Sequence, residues 1–186
     1  MTERVLISGF GGQGIMFLGR LLAWLAMYKD KQVTFLPAYG AEVRGGTAHC
    51  SLIISDTEIF SPCIDKIDTL IALNRPSLEK FIPQLRKGGR VLVNASMVER
   101  RPEIEDARVY FIPFSDLASG LGDIKTANMI ALGVYLTTQK VLSQADIVKI
   151  LPQAFKSKPE LVALNKKALE IGIEAVRCGS HKKNQK

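Results

Sequence analysis

The sequence predicts an α/β fold in which helices flank a mainly parallel sheet. The first observation is the apolar stretch RVLIS at 4–8, which runs into a glycine-rich turn and then into a long helical pattern. That order of strand, glycine turn and helix is typical of parallel α/β units. In addition, short β-branched runs alternate with helical patterns through the middle of the chain, and the last third is helical. Together these patterns predict a Rossmann-like sheet with a helical C-terminal third.

The first half of the chain predicts three strands, one helix and a hairpin. The helix is predicted over 12–28 because apolar residues recur at helical spacing there. Residues 32–37 and 47–55 are rich in β-branched and apolar side chains and predict two strands, the first ending at Pro37. Asp56-Thr57 is typical of a tight turn into the segment EIF, so a β-hairpin excursion is predicted at one edge of the sheet.

The second half predicts the remaining strands and helices. A helix is predicted to begin at Pro76, a residue favoured in a first turn, and to end at Lys87-Gly88-Gly89. Further strands are predicted at 68–74, 90–96 and 107–113. Four more helices are predicted at 115–121, 126–139, 143–155 and 158–178.

Length and composition predict one domain. The chain has 186 residues, of which 47% are hydrophobic, enough for a full core over residues 1–178. The basic tail 179–186 is expected to be disordered. No apolar stretch approaches the roughly 18 residues that span a membrane, and MTERVLISGF lacks the apolar core of a signal peptide. A cytoplasmic protein with no membrane partner is therefore expected.

The charge of the chain is moderately positive. The formal net charge is +7, and three of the 25 Lys and Arg residues lie in the tail, which leaves 22 against 18 Asp and Glu. Such a mild excess is compatible with a phosphate-rich cofactor or an acidic electron carrier. No basic stripe is interleaved with aromatic residues, so nucleic acid is not expected as a partner.

The cysteines and histidines indicate no metal site or catalytic set within this chain. Cys50, Cys63 and Cys178 are scattered and form no C-x-x-C pair, so neither an iron–sulfur cluster held by this chain alone nor a disulfide is expected. His49 and Cys50 are adjacent in a predicted strand and should point to opposite faces, which prevents them from binding one metal. His181 lies in the tail. His49 is therefore expected to be structural or to lie in an interface.

The turn SGFGGQGI at 8–15 is the first candidate site. Its glycines at positions 9, 11 and 14 fit the dinucleotide fingerprint G-x-G-x-x-G. A strand followed by open glycine backbone and a helix N-terminus can bind an anion. A dinucleotide enzyme also needs an acid at the end of its second strand. Here that strand ends TFLPAY, and the first acid, Glu42, lies within a glycine loop. Binding of NAD or FAD is therefore not favoured.

The loop PAYGAEVRGGTAHC at 37–50 is the second candidate site. Tyr39, Glu42 and Arg44 stand beside three glycines, which let a partner approach the backbone closely. An ordinary connection between strands, with a solvated Glu–Arg pair, is the alternative interpretation.

These two segments carry a resemblance to a known family. GFGGQGI at 9–15 and YGAEVRGGTAHC at 39–50 are similar to the γ subunit of 2-oxoacid:ferredoxin (acceptor) oxidoreductases. Further blocks match that family in the same order, namely ISDTEIFSP at 54–62, ALNRPSLEKF at 72–81 and NMIALG at 128–133. The resemblance covers residues 4–175, and its GG-T-A-H-C and SP blocks are more similar to the 2-oxoglutarate and branched-chain enzymes than to the pyruvate enzymes.

The resemblance implies a function within a larger enzyme. Enzymes of this family oxidatively decarboxylate a 2-oxoacid and join the acyl group to coenzyme A. Thiamine diphosphate and Mg²⁺ lie between the α and β subunits, and electrons leave through [4Fe–4S] clusters of the ferredoxin-like δ subunit and of β to ferredoxin, flavodoxin or another acceptor. The γ subunit is an α/β domain near the active site with a part in the access route of coenzyme A. The isolated chain is expected to be inactive.

Both loops are expected to form one surface at the carboxyl edge of the sheet. This surface would face the thiamine-bearing subunits and coenzyme A phosphates, with Arg44 as the charge donor because a guanidinium can fork onto phosphate. Asn128 is expected either to cap a helix or to lie in the interface. The candidate residues are Gly9, Gly11, Gly12, Gln13, Gly14, Tyr39, Gly40, Glu42, Arg44, Gly45, Gly46, Thr47 and Asn128.

Two other functions are compatible with the sequence. One is an independent nucleotide-binding enzyme that uses the glycine turn, and the other is a structural assembly subunit without a ligand. The isolated chain is also expected to homodimerise through apolar surfaces intended for its partners.

Overall fold

The structure is a computed structural model, and it describes residues 1–39 and 47–180. The strands are β1 (Thr2–Phe10), β2 (Gln32–Tyr39), β3 (Thr47–Ser55), β4 (Ile67–Ala72), β5 (Leu85–Asn94) and β6 (Arg108–Ile112). The helices are α1 (Ile15–Tyr28), α2 (Arg75–Phe81), α3 (Phe114–Gly120), α4 (Ala127–Thr138), α5 (Gln144–Ala154) and α6 (Leu161–Ser180). The predicted tail residues 181–186 lie outside the described residues, and α6 continues through Ser180.

The strands form one sheet in the order β2-β3-β1-β4-β5-β6. β1, β4, β5 and β6 are parallel to one another, whereas β3 pairs antiparallel with both β1 and β2. Every residue of β4 is buried, as expected for a central parallel strand covered on both faces. The prediction of a mainly parallel sheet flanked by helices is confirmed.

The antiparallel excursion lies at an edge as predicted, but its location was predicted wrongly. The segment EIF after Asp56-Thr57 forms no strand. Both edges of β3 are already occupied near its end, because Ser55 is paired with Thr2 of β1 and with Gln32 of β2. A third partner has no free edge on which to pair. The excursion is instead the pair β2 and β3.

The boundary at Lys87-Gly88-Gly89 was also predicted wrongly. α2 ends at Phe81 and a short 3₁₀ turn covers Ile82–Gln84, because Pro83 cannot donate the backbone hydrogen bond that continues a helix. The glycines lie inside β5, where Gly88 has a φ of 75° and the register with β4 shifts. A glycine is required there because the left-handed region disfavours side chains.

Helices α1 and α2 lie on opposite faces of the sheet. A Cβ atom at Gly19 of α1 would lie 2.5 Å from Cys50 Sγ, so α1 packs closely against the face to which Cys50 points. The ring of His49 lies 5.0 Å from the ring of Phe81 at the end of α2. Because His49 and Cys50 are adjacent in β3, they point to opposite faces. The sequence-based expectation for this pair is confirmed.

We predict that His49 makes stability depend on pH. Burial, with a smaller contribution from Lys80, lowers the pKa of His49 from its usual 6.5. As the pH falls, the His49 imidazole is therefore protonated in the unfolded chain before it is protonated in the folded one. The contribution of neutral His49 to the free energy of unfolding is complete above pH 6.5 and decreases below it. Urea unfolding at about pH 7.5 and about pH 5.5 should show a smaller decrease for His49→Gln than for the wild type. Equal decreases would contradict a destabilising protonation at this position.

The contacts divide the chain into two compact units, residues 1–113 and the residues from Phe114 onward. The second unit is built around α4, which is buried on nearly all sides, as expected for a helix that is apolar all round. α6 packs against α4 where two glycines meet. A Cβ at Gly133 would lie 2.2 Å from the Leu169 carbonyl oxygen, and one at Gly172 would lie 2.1 Å from the Ile130 carbonyl oxygen. That residues 1–178 act as a single domain stays a prediction.

Within the described ranges, the helices are all too short or too polar to cross a bilayer.

Candidate functional site

The candidate site lies at the carboxyl edge of the sheet, between the ends of β1 and β4. β1 ends at Phe10 and leads through the glycine turn into α1, and β4 ends at Ala72 and leads into α2. Because these two helices leave to opposite faces of the sheet, the ends of the adjacent parallel strands β1 and β4 form the switch point of the topology. Ligands of α/β proteins bind at such switch points.

The backbone of the glycine turn is open to solvent. A Cβ atom added to Gly11 or Gly12 would meet no atom within 4 Å. Gly12 has a φ of 96° and Gly14 a φ of 75°, so the turn depends on glycine at both positions. Gly14 precedes α1 without a side-chain cap, and the first turn of α1 carries no acid. An anionic group or a partner chain can therefore approach this backbone.

Gln13 holds the turn in place. Its Oε1 accepts a hydrogen bond of 2.7 Å from the Phe10 backbone N–H, and its Nε2 donates one of 3.4 Å to the Leu73 carbonyl oxygen. A Cβ at Gly9 would lie 2.4 Å from Gln13 Oε1 and 2.7 Å from Ile15 Cδ1. Gly9 and Gln13 thus connect the turn to the end of β4, whereas Gly11 and Gly12 form its accessible part.

Two asparagines that sequence reasoning missed lie at the same edge of the sheet, one just after β4 and one at the end of β5. Asn74 Oδ1 accepts a hydrogen bond from the Ser77 N–H and caps α2, and Asn94 Nδ2 donates to the Leu73 carbonyl oxygen. The Asn74 Nδ2 atom is buried and has no hydrogen-bond partner among the described residues. The available signal was an asparagine directly after a buried strand and just before Pro76, a pattern typical of a helix N-cap.

Strand pairing brings the second loop to the same edge. Thr47 is paired with Phe10, and Tyr39 is paired with Ala48, so both ends of the intervening segment lie at the edge that carries the glycine turn, Thr47 next to it and Tyr39 one strand further away. Tyr39 is 73% exposed. The other predicted members of the loop lie outside the described residues, namely Gly40, Glu42, Arg44, Gly45 and Gly46.

Asn128 does not cap a helix as the sequence suggested. It is the second residue of α4 and is 6% exposed, whereas Thr126 occupies the N-cap position without a side-chain hydrogen bond. Asp123 caps the preceding 3₁₀ turn by accepting a hydrogen bond from the Lys125 N–H. The cap interpretation of Asn128 is therefore wrong, and its part in an interface stays a prediction.

The sheet order argues against a dinucleotide site. A dinucleotide fold takes its ribose-binding acid from the parallel strand next to β1. Here β3, which is antiparallel, lies between β1 and β2. The end of β2 is thus one strand too far away, and it carries Tyr39 rather than an acid. The strand order and the lack of an acid at the end of β2 both argue against a dinucleotide site.

The fold and the site define a class of protein, an α/β domain with an open glycine turn at the carboxyl edge of its sheet. Residues 4–175 match the family model for pyruvate ferredoxin/flavodoxin oxidoreductase. The chain belongs to this family, and the resemblance inferred from its sequence blocks is confirmed.

Three similar proteins place the chain within the family. It is 34% identical over 175 residues to the ketoisovalerate oxidoreductase subunit VorA of Methanothermobacter marburgensis, covering 94% of this chain and 36% of VorA. It is 34% identical over 157 residues to the 2-oxoglutarate synthase subunit KorC of Methanocaldococcus jannaschii, covering 81% of this chain and 82% of KorC. The crystal structure of the keto/oxoacid ferredoxin oxidoreductase γ subunit from Geobacter sulfurreducens is 29% identical, with a TM-score of 0.79 over 95% of this chain and 99% of that one. The chain thus spans about a third of the length of VorA.

Proposed function

We propose that this chain is the γ subunit of a 2-oxoacid:ferredoxin oxidoreductase of the 2-oxoglutarate type. The observation that carries the proposal is the match to KorC, a 2-oxoglutarate synthase subunit, of which the aligned region covers 82%. In this role the chain supports the thiamine-dependent oxidative decarboxylation of a 2-oxoacid to its acyl-coenzyme A and is inactive by itself.

The proposal includes the other components of the enzyme. The α and β subunits would hold thiamine diphosphate and Mg²⁺, and β and a ferredoxin-like δ subunit would hold [4Fe–4S] clusters. Ferredoxin, flavodoxin or a similar carrier would accept the electrons in the cytoplasm.

The carboxyl-edge site supports a contact with those subunits. The accessible backbone of Gly11 and Gly12 lies at the N-terminus of α1, where the helix dipole favours negative charge. Tyr39 and Thr47 border the same edge, and Arg44 belongs to the segment between them. We infer that this surface faces the thiamine-bearing subunits and the phosphates of coenzyme A.

Co-purification from the native cell tests the proposal. A tagged chain should elute with partner subunits, and the eluate should reduce a viologen dye when coenzyme A and 2-oxoglutarate are supplied. Preference for 2-oxoisovalerate would instead favour the VorA-like function, and pyruvate serves as the third substrate. A lone, inactive chain would contradict the proposal, and a thermal shift with NAD or FAD would then support the nucleotide-binding alternative.

Gly11→Ala should impair the complex without unfolding the chain. Its Cβ meets no atom within 4 Å in the isolated chain, so the melting temperature should be unchanged. A partner or phosphate seated against this backbone would meet the new methyl group, and activity per complex should decrease about tenfold. Gly120→Ala, which also adds a methyl group in open space, is the matched control. Normal assembly and activity of Gly11→Ala would exclude the turn as a contact surface.

Arg44→Ala should raise the KM for coenzyme A or lower the activity of the complex, because a forked guanidinium contact to phosphate would be lost. Steady-state kinetics of the purified complex measure both quantities. A variant with wild-type kinetics and assembly would rule out this role for Arg44.

Exposed apolar side chains support self-association of the isolated chain. Met27 of α1 is 63% exposed, and Trp24 and Tyr28 of the same helix are also exposed. We infer that the chain homodimerises when its partners are absent, which sedimentation of the isolated chain measures.

A further inference from the structure

A cationic cluster lies at the amino edge of the sheet, at the opposite end of β1 from the glycine turn. Arg4, Lys66, Arg86 and Lys87 surround Asp68 and with it line a depression of about 460 Å³. The nine residues of β1 separate the two edges by about 27 Å. The cluster is therefore separate from the carboxyl-edge site.

Asp68 organises the two arginines of this cluster. Its side chain is 9% exposed, and its Oδ1 accepts a hydrogen bond of 2.5 Å from Arg86 Nη1. Its Oδ2 accepts one of 2.8 Å from the Arg4 backbone N–H and lies 3.6 Å from Arg4 Nη1. The side chains of Arg4 and Arg86 nevertheless remain 41% and 56% exposed. Lys87 Nζ also lies 4.0 Å from Asp106 Oδ2, so four cations face two carboxylates and the cluster keeps a net positive charge.

A groove of about 480 Å³ with both polar and apolar walls adjoins the cluster, and Arg4 and Lys66 line both. Phe60, in the loop after β3, lines the groove and is 92% exposed, which leaves a large aromatic surface in water. Arginine beside an exposed aromatic ring is the composition of the strongest contacts in protein interfaces. Glu58 and Asp65 also line this groove, so the positive charge is confined to one end of the combined surface.

The chemistry of the surface favours a protein segment over a small molecule. Small-molecule sites are enclosed and mostly apolar, whereas this depression has charged walls only. A cationic cluster beside the exposed ring of Phe60 fits an extended peptide that carries acidic residues next to an apolar side chain. We propose that the amino edge docks a segment of a protein partner in which a run of acidic residues meets the cationic cluster and a neighbouring apolar side chain packs on Phe60. This inference does not depend on the proposed function.

Fluorescence anisotropy with a labelled peptide of sequence EDEDF tests the proposal on the full chain. The peptide should bind, and added salt should weaken the binding. Lys66→Glu and Phe60→Ala should each raise the Kd about tenfold, and both alter exposed side chains. Lys125→Glu, a charge reversal of an exposed lysine in the second unit, is the matched control and should leave the Kd unchanged.

Alkylation of the cysteines gives an independent readout. Cys63 lines the groove and is exposed, as is Cys178 in the second unit, whereas Cys50 is buried, with a pKa raised to about 12. The bound peptide should slow alkylation of Cys63 and leave Cys178 unaffected. No binding, equal binding by all variants, or equal alkylation of Cys63 with and without peptide would overturn the proposal. Competition by inorganic pyrophosphate that is insensitive to Phe60→Ala would also overturn it, in favour of a small anion.

Discussion

Gly133→Ala should lower the free energy of unfolding by about 3 kcal/mol, the upper end of the usual effect of overpacking. The new Cβ would lie 2.2 Å from the Leu169 carbonyl oxygen and 3.1 Å from Gly172 Cα. Both neighbours are backbone atoms of α6, so no side chain can rotate to make room. The axes of α4 and α6 would have to separate, and side-chain contacts along both helices would be lost. Urea unfolding followed by far-ultraviolet circular dichroism measures the change.

Gly120→Ala is the matched control for this substitution. Gly120 ends α3 in the same unit, and a Cβ there meets nothing within 4 Å. Its free energy of unfolding should stay within about 0.5 kcal/mol of the wild type. If the two variants were equally stable, the glycines would not be required for the approach of α4 to α6.

Arg90→Met should destabilise the first unit by about 3 kcal/mol, because it leaves a buried carboxylate without its cationic partner. The side chain of Glu3 is 6% exposed and that of Arg90 is 17% exposed, and Arg90 Nη2 donates to Glu3 Oε1. Thr69 Oγ1 also donates to Glu3 Oε1, at 2.6 Å, and accepts from Arg90 Nε at 2.9 Å. Methionine retains an unbranched apolar stem but not the charge. Fluorescence of Trp24, the single tryptophan of the chain, reports unfolding of this unit.

The same substitution at an exposed ion pair provides the control. Arg75 and Glu79 lie one helical turn apart and are 65% and 61% exposed, so Arg75→Met should lose only about 0.5 kcal/mol. In the double variant Glu3→Gln, Arg90→Met, the loss should be smaller than the sum of the two single losses, because no charge remains buried. An Arg90→Met variant as stable as Arg75→Met would show that water solvates Glu3.

The parts of the fold that sequence predicted correctly depend on local patterns. α1 was predicted from apolar spacing, and its end at Tyr28 agrees with the structure. The open backbone at Gly11 and Gly12 was likewise predicted, because a glycine turn between a strand and a helix is a local signal. The prediction of a hairpin after Ser55 was wrong, because a turn signal does not reveal that both edges of the strand are occupied.

The candidate site was only partly accessible to sequence reasoning. The glycine turn and the ends of the loop after Tyr39 could be assigned to one edge from the order of the elements. The sequence did not separate Gly9, which makes room for Gln13 and Ile15, from Gly11, which faces open space. Asn128 resembled a cap because it follows a polar pair, yet the helix begins one residue earlier and the preceding turn is capped by Asp123.

The sequence by itself determined the alternation of strands and helices, the glycine turn and the family, since each is recorded in short stretches of neighbouring residues. The tertiary structure alone decided that β3 lies between β1 and β2, that α4 and α6 meet at two glycines, and that Arg90 neutralises Glu3, 87 positions away. It also assembled the cationic cluster from β1, β4, β5 and the residue before β4. These features depend on pairings between distant residues, which arise only when burial and strand pairing bring separate segments together.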